Sequence, residues 1–174
     1  MEKIQDIKYI ILDVDGTMTD GGIYYDGTGN EWKKFSVKDA AGIWAAQKYG
    51  IKVMVLTGRE CKATERRMQE LKVDFLFQNI KDKLGFLVKY AEENCIDFKQ
   101  IAYIGDDLND LPVMKIVGIV GCPSDACEEV KQIADYIGTP LGGNGAVRDV
   151  IMKMFQEAGL WNQLIKKYIY DCRR

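Results

Sequence analysis

The chain contains no histidine. Its absence removes Ser-His-Asp and Cys-His mechanisms and any histidine-ligated metal, so acid-base work falls to carboxylates, lysine, tyrosine or cysteine. Cysteine is present but unpatterned: the five residues Cys61, Cys95, Cys122, Cys127 and Cys172 form no C-x-x-C pair and leave an odd count. That excludes a zinc framework and a disulfide scaffold and fits reduced thiols. Long apolar runs are also missing. Every hydrophobic stretch falls far short of the ~20 residues a membrane span needs, and the opening MEKIQDIKYI lacks a signal-peptide pattern. Nor does one sign of charge dominate, because 24 basic and 26 acidic side chains leave a formal −2. No global field draws nucleic acid or an anionic membrane, and an anionic ligand has to be held by local charge. The expectation is a cytoplasmic protein with neither nucleic-acid nor membrane partners.

What the chain does have is a regular alternation of patterns. With 174 residues and 47% hydrophobic content it is expected to form one domain, 1–174, with a sizeable core. The runs KYIILDV (8–14), KVMVLTG (52–58), DFLF (74–77) and IAYIGDD (101–107) read as buried strands bounded by Gly or Asp. Helical patterns at 38–49, 60–71 and 81–95 lie between them. A fifth unit follows, with VGIVG (117–121) as strand, a helix near 124–132 and a short ADYIG (134–138). The C-terminal tail, 145–174, is helical, with one amphipathic stretch over 145–170. This rhythm predicts an α/β fold, a doubly wound Rossmann-like parallel sheet with helices on both faces. One segment breaks it: GGIYYDGTGNEWKKFSV (21–37) reads as a β-hairpin around Asp26-Gly27-Thr28-Gly29.

In an open parallel sheet, ligands bind beyond the carboxyl ends of the strands. The chemistry-bearing residues fall there. The first strand ends in Asp13 and Asp15, the second in Thr57-Gly58-Arg59, and the strand at 101–104 in GDDLND with Asp106, Asp107 and Asp110. Lys83 lies near the start of the third helix, at the same rim. Carboxylates gathered in one place repel one another unless a cation neutralises them. An all-oxygen set suits a hard ion, Mg²⁺, and a metal beside Lys and Thr makes a phosphate site. Lys83 then balances phosphate charge, Thr57 donates to a phosphate oxygen, Asp13 is the nucleophile and Asp15 the acid and base.

DVDGT after an apolar strand, TG closing the next, a lysine, and then GDDLND, in this order, resemble the four motifs of the haloacid dehalogenase superfamily. Receiver domains of two-component signalling use similar residues on a doubly wound sheet, but their phosphoacceptor ends the third strand. Here DFLF runs into QNIKDK with no Asp at its immediate end. The stretch after the first motif holds only the hairpin, and that between Thr57 and Lys83 only one helix and one strand, so no cap domain is expected. A capless site has to be closed by a large substrate or by a neighbouring subunit.

The capless pattern together with GGNGAVRD (142–149) resembles the 3-deoxy-D-manno-octulosonate 8-phosphate phosphatase family over nearly the whole chain. The resemblance implies a phosphorylated sugar-acid substrate and a homotetramer in which hairpins and tails of neighbours close each site. It implies metal ligands at Asp13, Asp15 through its backbone carbonyl, and Asp106. It places Ser36, Val37, Lys38, Asp39 and Ala40 in the sugar-acid pocket with Asp15, Arg59, Arg67 and Lys83, leaves Gly58, Asp107 and Asp110 as supporting residues, and suggests Gly145 and Arg148 for an in-trans tail. The family's usual N-V-R-D-G stands here as SVKDA, and Trp44 replaces an Arg, which brings in a related branch acting on nine-carbon 2-keto-3-deoxy acid phosphates. Arg59 after TG, where that branch is commonly acidic, favours the eight-carbon ester. A non-catalytic regulatory or tetramerising homologue is the remoter alternative.

Simpler roles compete at several positions. Ser36 with Asp39 also fits a capping box at the start of the helix. Helical spacing from Arg59 favours Arg66, and only the resemblance favours Arg67. Trp44 and Ile43 read as core or interface, and 142–145 also fits an ordinary loop before a helix, with Arg148 at the surface.

Overall fold

In the computed structural model, which describes residues 4–171, the apolar runs form a six-stranded, all-parallel sheet. Its strands are β1 (Tyr9–Leu12), β4 (Lys52–Leu56), β5 (Phe75–Phe77), β6 (Ile101–Ile104), β7 (Ile119–Cys122) and β8 (Tyr136–Ile137), in the order β5-β4-β1-β6-β7-β8. The hairpin strands β2 (Tyr24–Tyr25) and β3 (Glu31–Trp32) pair only with each other. The helices are α1 (Asp39–Tyr49), α2 (Lys62–Leu71), α3 (Lys83–Glu93), α4 (Leu111–Met114), α5 (Glu128–Ile133), α6 (Ala146–Glu157) and α7 (Trp161–Asp171).

The period-two rule sorts the central strand between two cores. Ile10 and Leu12 pack with Ile43 of α1, Met68 of α2, Phe155 of α6 and Leu164 of α7, whereas Ile11 packs with Leu87 of α3, Val113 of α4 and Val130 of α5. Both faces of the sheet are therefore covered, as a parallel sheet requires.

Register decides where the motifs meet. Leu12 pairs with Val55 on one side and Ile104 on the other, and Asp13 N–H donates to the Ile104 carbonyl at 2.9 Å. The ends of β1, β4 and β6 are thereby level, and Asp13, Thr57 and Asp106 emerge at one edge. Between β1 and α1 the chain forms only the hairpin, and between β4 and α3 only α2 and β5.

Three local expectations are corrected. The tail is two helices, because Gly159 at φ 70° ends α6 in a Schellman turn: its N–H donates to the Gln156 carbonyl and that of Leu160 to the Phe155 carbonyl, both at 2.9 Å. The helix expected near 124–132 begins only at Glu128, after a turn at Pro123. The Ser36–Asp39 capping box does not form. Lys38 occupies the N-cap position with no side-chain cap, and Ser36 Oγ accepts from Lys38 N–H at 3.2 Å instead. Asp39 is drawn away because its carboxylate turns inward to α6.

Phe155 is fully buried and its ring meets Tyr49 edge-on at 5.3 Å. Phe155→Ala should destabilise the fold by about 3 to 5 kcal/mol, read as a lower urea midpoint at unchanged m. A loss under about 1 kcal/mol would mean that α6 is not a core element.

Candidate active site

Asp13 follows the last residue of β1 and is 4% exposed. Its Oδ1 accepts from Lys83 Nζ at 2.6 Å. Lys83 is the first residue of α3, whose start is fixed by Asp82 accepting from Gly85 N–H. The same ammonium reaches Asp110 Oδ1 at 2.7 Å and the Tyr103 hydroxyl at 3.3 Å. Asp110 is fully buried. Its Oδ1 also accepts from Tyr103 Oη at 2.6 Å, and its Oδ2 takes the Asp106 and Asp107 amides at 3.0 and 3.4 Å. Asp110 is thus the anchor of the acidic loop, with both oxygens committed. Asp106, half-buried, faces Asp13 from the end of β6, and its Oδ1 accepts from Thr17 Oγ1 at 2.8 Å. Gly16, at φ 91°, passes so close that a Cβ there would fall on the Asp106 carboxylate.

The electrostatics follow from this crowding. Burial and the neighbouring Asp110 push the Asp13 carboxyl up to about 8, against the pull of Lys83. Burial likewise raises Asp106 to about 7, with Asp110 and Asp107 adding to it and the Thr17 hydroxyl opposing. Burial disfavours the Lys83 charge, but Asp13 and Asp110 outweigh it and raise its pKa. The Tyr103 phenol is held neutral by burial and by Asp110. Carboxylate oxygens of Asp13, Asp106 and Asp110 lie within 4.8 Å of one another. Among the described residues, Asp13 and Asp106 each keep one oxygen that accepts no hydrogen bond. Two carboxylates held together at an energetic penalty, each with an uncommitted oxygen, in a cluster whose ligand groups are all aspartates, fit a hard divalent metal.

Asp15 takes different partners. Its Oδ1 is ion-paired with the ammonium of Lys33, whose side chain is 2% exposed. Lys33 also meets Glu31 at 3.3 Å, Glu31 holds Arg59 Nη2 at 2.7 Å, and Arg59 Nε returns to Asp15 Oδ2 at 3.9 Å. These four side chains form a closed ring of alternating charge. Within it the Glu31 carboxyl is lowered, its burial being outweighed by Arg59 and Lys33, and the Glu31 hydrogen bond strengthens the Arg59 charge.

The sequence-expected residues therefore divide. Asp13, Lys83 and Asp106 converge, and Thr57 lies at the same strand edge, buried with its Oγ1 accepting from Arg59 N–H at 3.3 Å. Asp110 joins the carboxylate group in place of the Asp15 side chain, which the hairpin captures. Gly58 lends its carbonyl to Lys81. Asp107 is exposed and accepts from the Leu108 amide of its own turn, so it does not reach the cluster. Arg59 precedes α2, and on that helix it is Arg67 that faces the loop, donating to the Ser36 carbonyl at 3.3 Å, while the Arg66 side chain is 84% exposed. Val37 and Lys38 are exposed, and Ser36 and Ala40 half-buried. Asp39 is 1% exposed and accepts from Arg148 N–H at 3.1 Å, so it lies beneath the loop rather than on it. Trp44 packs in cis, edge-on to Tyr168 at 4.7 Å. Gly145 packs against the Lys38 side chain of the same chain. Sequence reasoning missed Thr17, Glu31, Lys33 and Tyr103. For Glu31 and Lys33 the signal existed, since hairpin alternation puts both on the face opposite the exposed Trp32.

The haloacid dehalogenase-like hydrolase family pattern matches residues 76–151, the stretch containing Lys83 and the acidic loop. The 3-deoxy-D-manno-octulosonate 8-phosphate phosphatase KdsC of Escherichia coli (strain B / BL21-DE3) is 41% identical over 150 residues, covering 86% of this chain and 80% of that protein. The chain belongs to this phosphatase family. The Moraxella catarrhalis 3-deoxy-D-manno-octulosonate 8-phosphate phosphatase, crystallised with magnesium ion, phosphate ion and KDO, matches at TM-score 0.89 and 36% identity over 95% of both chains. The cobalt-bound phosphatase of Haemophilus influenzae matches at TM-score 0.83 and 34% identity, covering 91% of this chain and 92% of that one. Both relatives carry a divalent metal, the type of ion that the acidic group in this member of the family fits.

The raised carboxyls set a pH dependence. In the folded protein Asp13 and Asp106 keep protons that the unfolded chain, titrating near 3.8, has released. The stability they contribute is complete below about pH 4 and is lost as the pH rises through their folded values. In EDTA the melting temperature should fall from pH 5 to pH 8. Added Mg²⁺, replacing those protons, should raise it more at pH 8 than at pH 6. A flat metal-free profile with a pH-independent Mg²⁺ effect would refute the raised values.

Proposed function

We propose that the protein is a cytoplasmic Mg²⁺-dependent phosphomonoesterase that hydrolyses 3-deoxy-D-manno-octulosonate 8-phosphate to the free sugar acid and phosphate, through an aspartyl-phosphate at Asp13. The observation that carries this reading is Asp13 at the end of β1, clamped by the buried Lys83 and facing Asp106 with one oxygen uncommitted. Lys83 orients the nucleophile through Oδ1 and balances phosphate charge, while Thr57 holds a phosphate oxygen. Asp13 attacks phosphorus, the bond from phosphorus to the sugar oxygen breaks, and that oxygen takes a proton from Asp15, which enters the step protonated and released from its ion pair with Lys33. In the second step Asp15 removes a proton from the water that cleaves the acyl phosphate, and Asp13 is regenerated. Asp13, Asp106 and the Asp15 backbone carbonyl would hold Mg²⁺, which when bound acts as a Lewis acid and template that shields the phosphate charge.

Arg59 supports the eight-carbon acid. Its guanidinium is fixed by Glu31 at the rim of the site, and its side chain is still 37% exposed, with donors left for a carboxylate. The remaining sugar contacts fall to Ser36, Val37, Lys38 and Ala40, with Arg67 bracing the loop from behind. A nine-carbon acid phosphate is the second reading, favoured by Trp44 and by SVKDA, where Lys38 lacks the bidentate fork of arginine. A purely regulatory module would have no use for the intact Asp13, Asp15, Thr57, Lys83 and Asp106.

Closure is assigned to assembly. The hairpin exposes Ile23, Tyr24, Tyr25 and Trp32, an apolar surface suited to other copies in a homotetramer. Gly145 and Arg148 are the tail residues nearest to such a role. Among the described residues no helix is long and apolar enough to cross a membrane.

Asp13→Asn should abolish turnover with an unchanged circular-dichroism spectrum; normal activity would remove Asp13 as nucleophile. In a side-by-side assay with Mg²⁺, kcat/KM should favour the eight-carbon over the nine-carbon ester. The reverse order would transfer the protein to nonulosonic acid chemistry with the same machinery. Light scattering should report a tetramer, and a fully active monomer would contradict closure by neighbours.

A further inference from the structure

We infer that Asp39 is a positioning residue rather than a substrate ligand: its buried carboxylate is the N-terminal cap of α6, supplied across the core from α1, and it fixes the loop that recognises the sugar acid. The inference rests on the sugar-acid reading only for what that loop does.

The first N–H groups of a helix have no partner within it, and a side chain at the N-cap position usually accepts from the second or third. In α6 that position is Gly145, at φ 102°, with no side chain to offer. The third amide, that of Arg148, is instead taken by Asp39 Oδ1 at 3.1 Å. Asp39 is 1% exposed and its Oδ2 has no hydrogen-bond partner, so this one bond is what its carboxylate makes.

Close approach explains why the cap is imported. A Cβ at Gly145 would meet Lys38 Cβ and Cδ at 3.2 Å, and a Cβ at Gly42 would sit 2.8 Å from Arg148 Cα. A capping side chain at 145 would be strained at φ 102° and would crowd the Lys38 stem. The chain keeps the contact and takes its cap from the residue next to Lys38. The same glycine loop continues to the catalytic end of β1, with Gly143 N–H donating to the Thr17 carbonyl at 3.3 Å and Asn144 Oδ1 accepting from Lys34 Nζ at 3.0 Å. Asp39 is thus the joint between the 36–40 loop, the glycine loop and the loop that carries the nucleophile. Without it the start of α6 frays and Lys38 loses the surface it rests on, while Asp13, Lys83 and Asp106 keep their own contacts.

The test compares Asp39→Ala with Asp39→Asn, which retains an acceptor oxygen. Amide hydrogen exchange at Arg148 should accelerate about five-fold in the alanine variant, the size of a lost cap, and by less than about two-fold in the asparagine variant. KM for the eight-carbon ester should rise about five-fold in the alanine variant and largely recover in the asparagine variant. Turnover of p-nitrophenyl phosphate, which has neither sugar nor carboxylate, should fall by less than about three-fold in both. Equal KM damage by Asn and Ala with unaltered Arg148 exchange would make the carboxylate a direct ligand and overturn the inference. A parallel fall in kcat on both esters would overturn it in favour of a general structural role. A wild type that prefers p-nitrophenyl phosphate to the sugar-acid esters would sink the substrate reading alone, and the exchange comparison would still decide the cap.

Discussion

The buried ammonium of Lys83, held between Asp13 and Asp110, is the contact around which the rest of the site is arranged. Two buried carboxylates brought together from the end of β1 and the start of α4 repel each other unless a cation lies between them. Breaking a buried ion pair by removing one partner typically costs about 3 to 5 kcal/mol, because the remaining charges are left uncompensated. Lys83 reaches this position because α3 starts at it, and Asp110 because both its oxygens are tied to Tyr103, Lys83 and two loop amides. Asp13 is thereby held in place before any ligand arrives, which is the preorganisation that the proposed phosphoryl transfer depends on.

Charge also organises the second half of the site. The hairpin has a ladder of only two residue pairs, Tyr24 with Trp32 and Tyr25 with Glu31, and a two-stranded ribbon of that size is marginal by itself. What fixes it here is the ring Asp15–Lys33–Glu31–Arg59, in which each charge is flanked by two of the opposite sign. The ring is half-buried, so salt screens it less than it would an exposed surface pair. It gives the two aspartates of the first motif different partners: Asp13 meets Lys83, and Asp15 meets Lys33 of the hairpin.

Legibility in the sequence followed the scale of the interaction. The parallel sheet, the hairpin and the convergence of Asp13, Lys83 and Asp106, with Thr57 at the same strand edge, could be read because each rests on a local pattern, an apolar run ended by a polar residue, combined with one topological rule about strand ends. The split at Gly159 was missed because the amphipathic pattern resumes on its far side. Asp39 was misplaced for a similar reason: S-x-x-D is a sound local signal, but a buried backbone amide more than a hundred positions away offered its carboxylate a stronger partner.

By itself the sequence determined the strand order of the chemistry, the all-oxygen character of the site and the family, since composition, periodicity and motif order are properties of the chain read linearly. Only the tertiary structure decided which carboxylate meets Lys83 and which meets the hairpin, that Asp110 anchors rather than merely supports, that Arg67 and not Arg66 braces the loop, and that Asp39 caps a helix it does not belong to. Those choices depend on side-chain direction and burial. A carboxylate turns toward whichever cation or N–H group the folded chain leaves unpaired nearby, and that is settled by packing between segments distant in sequence.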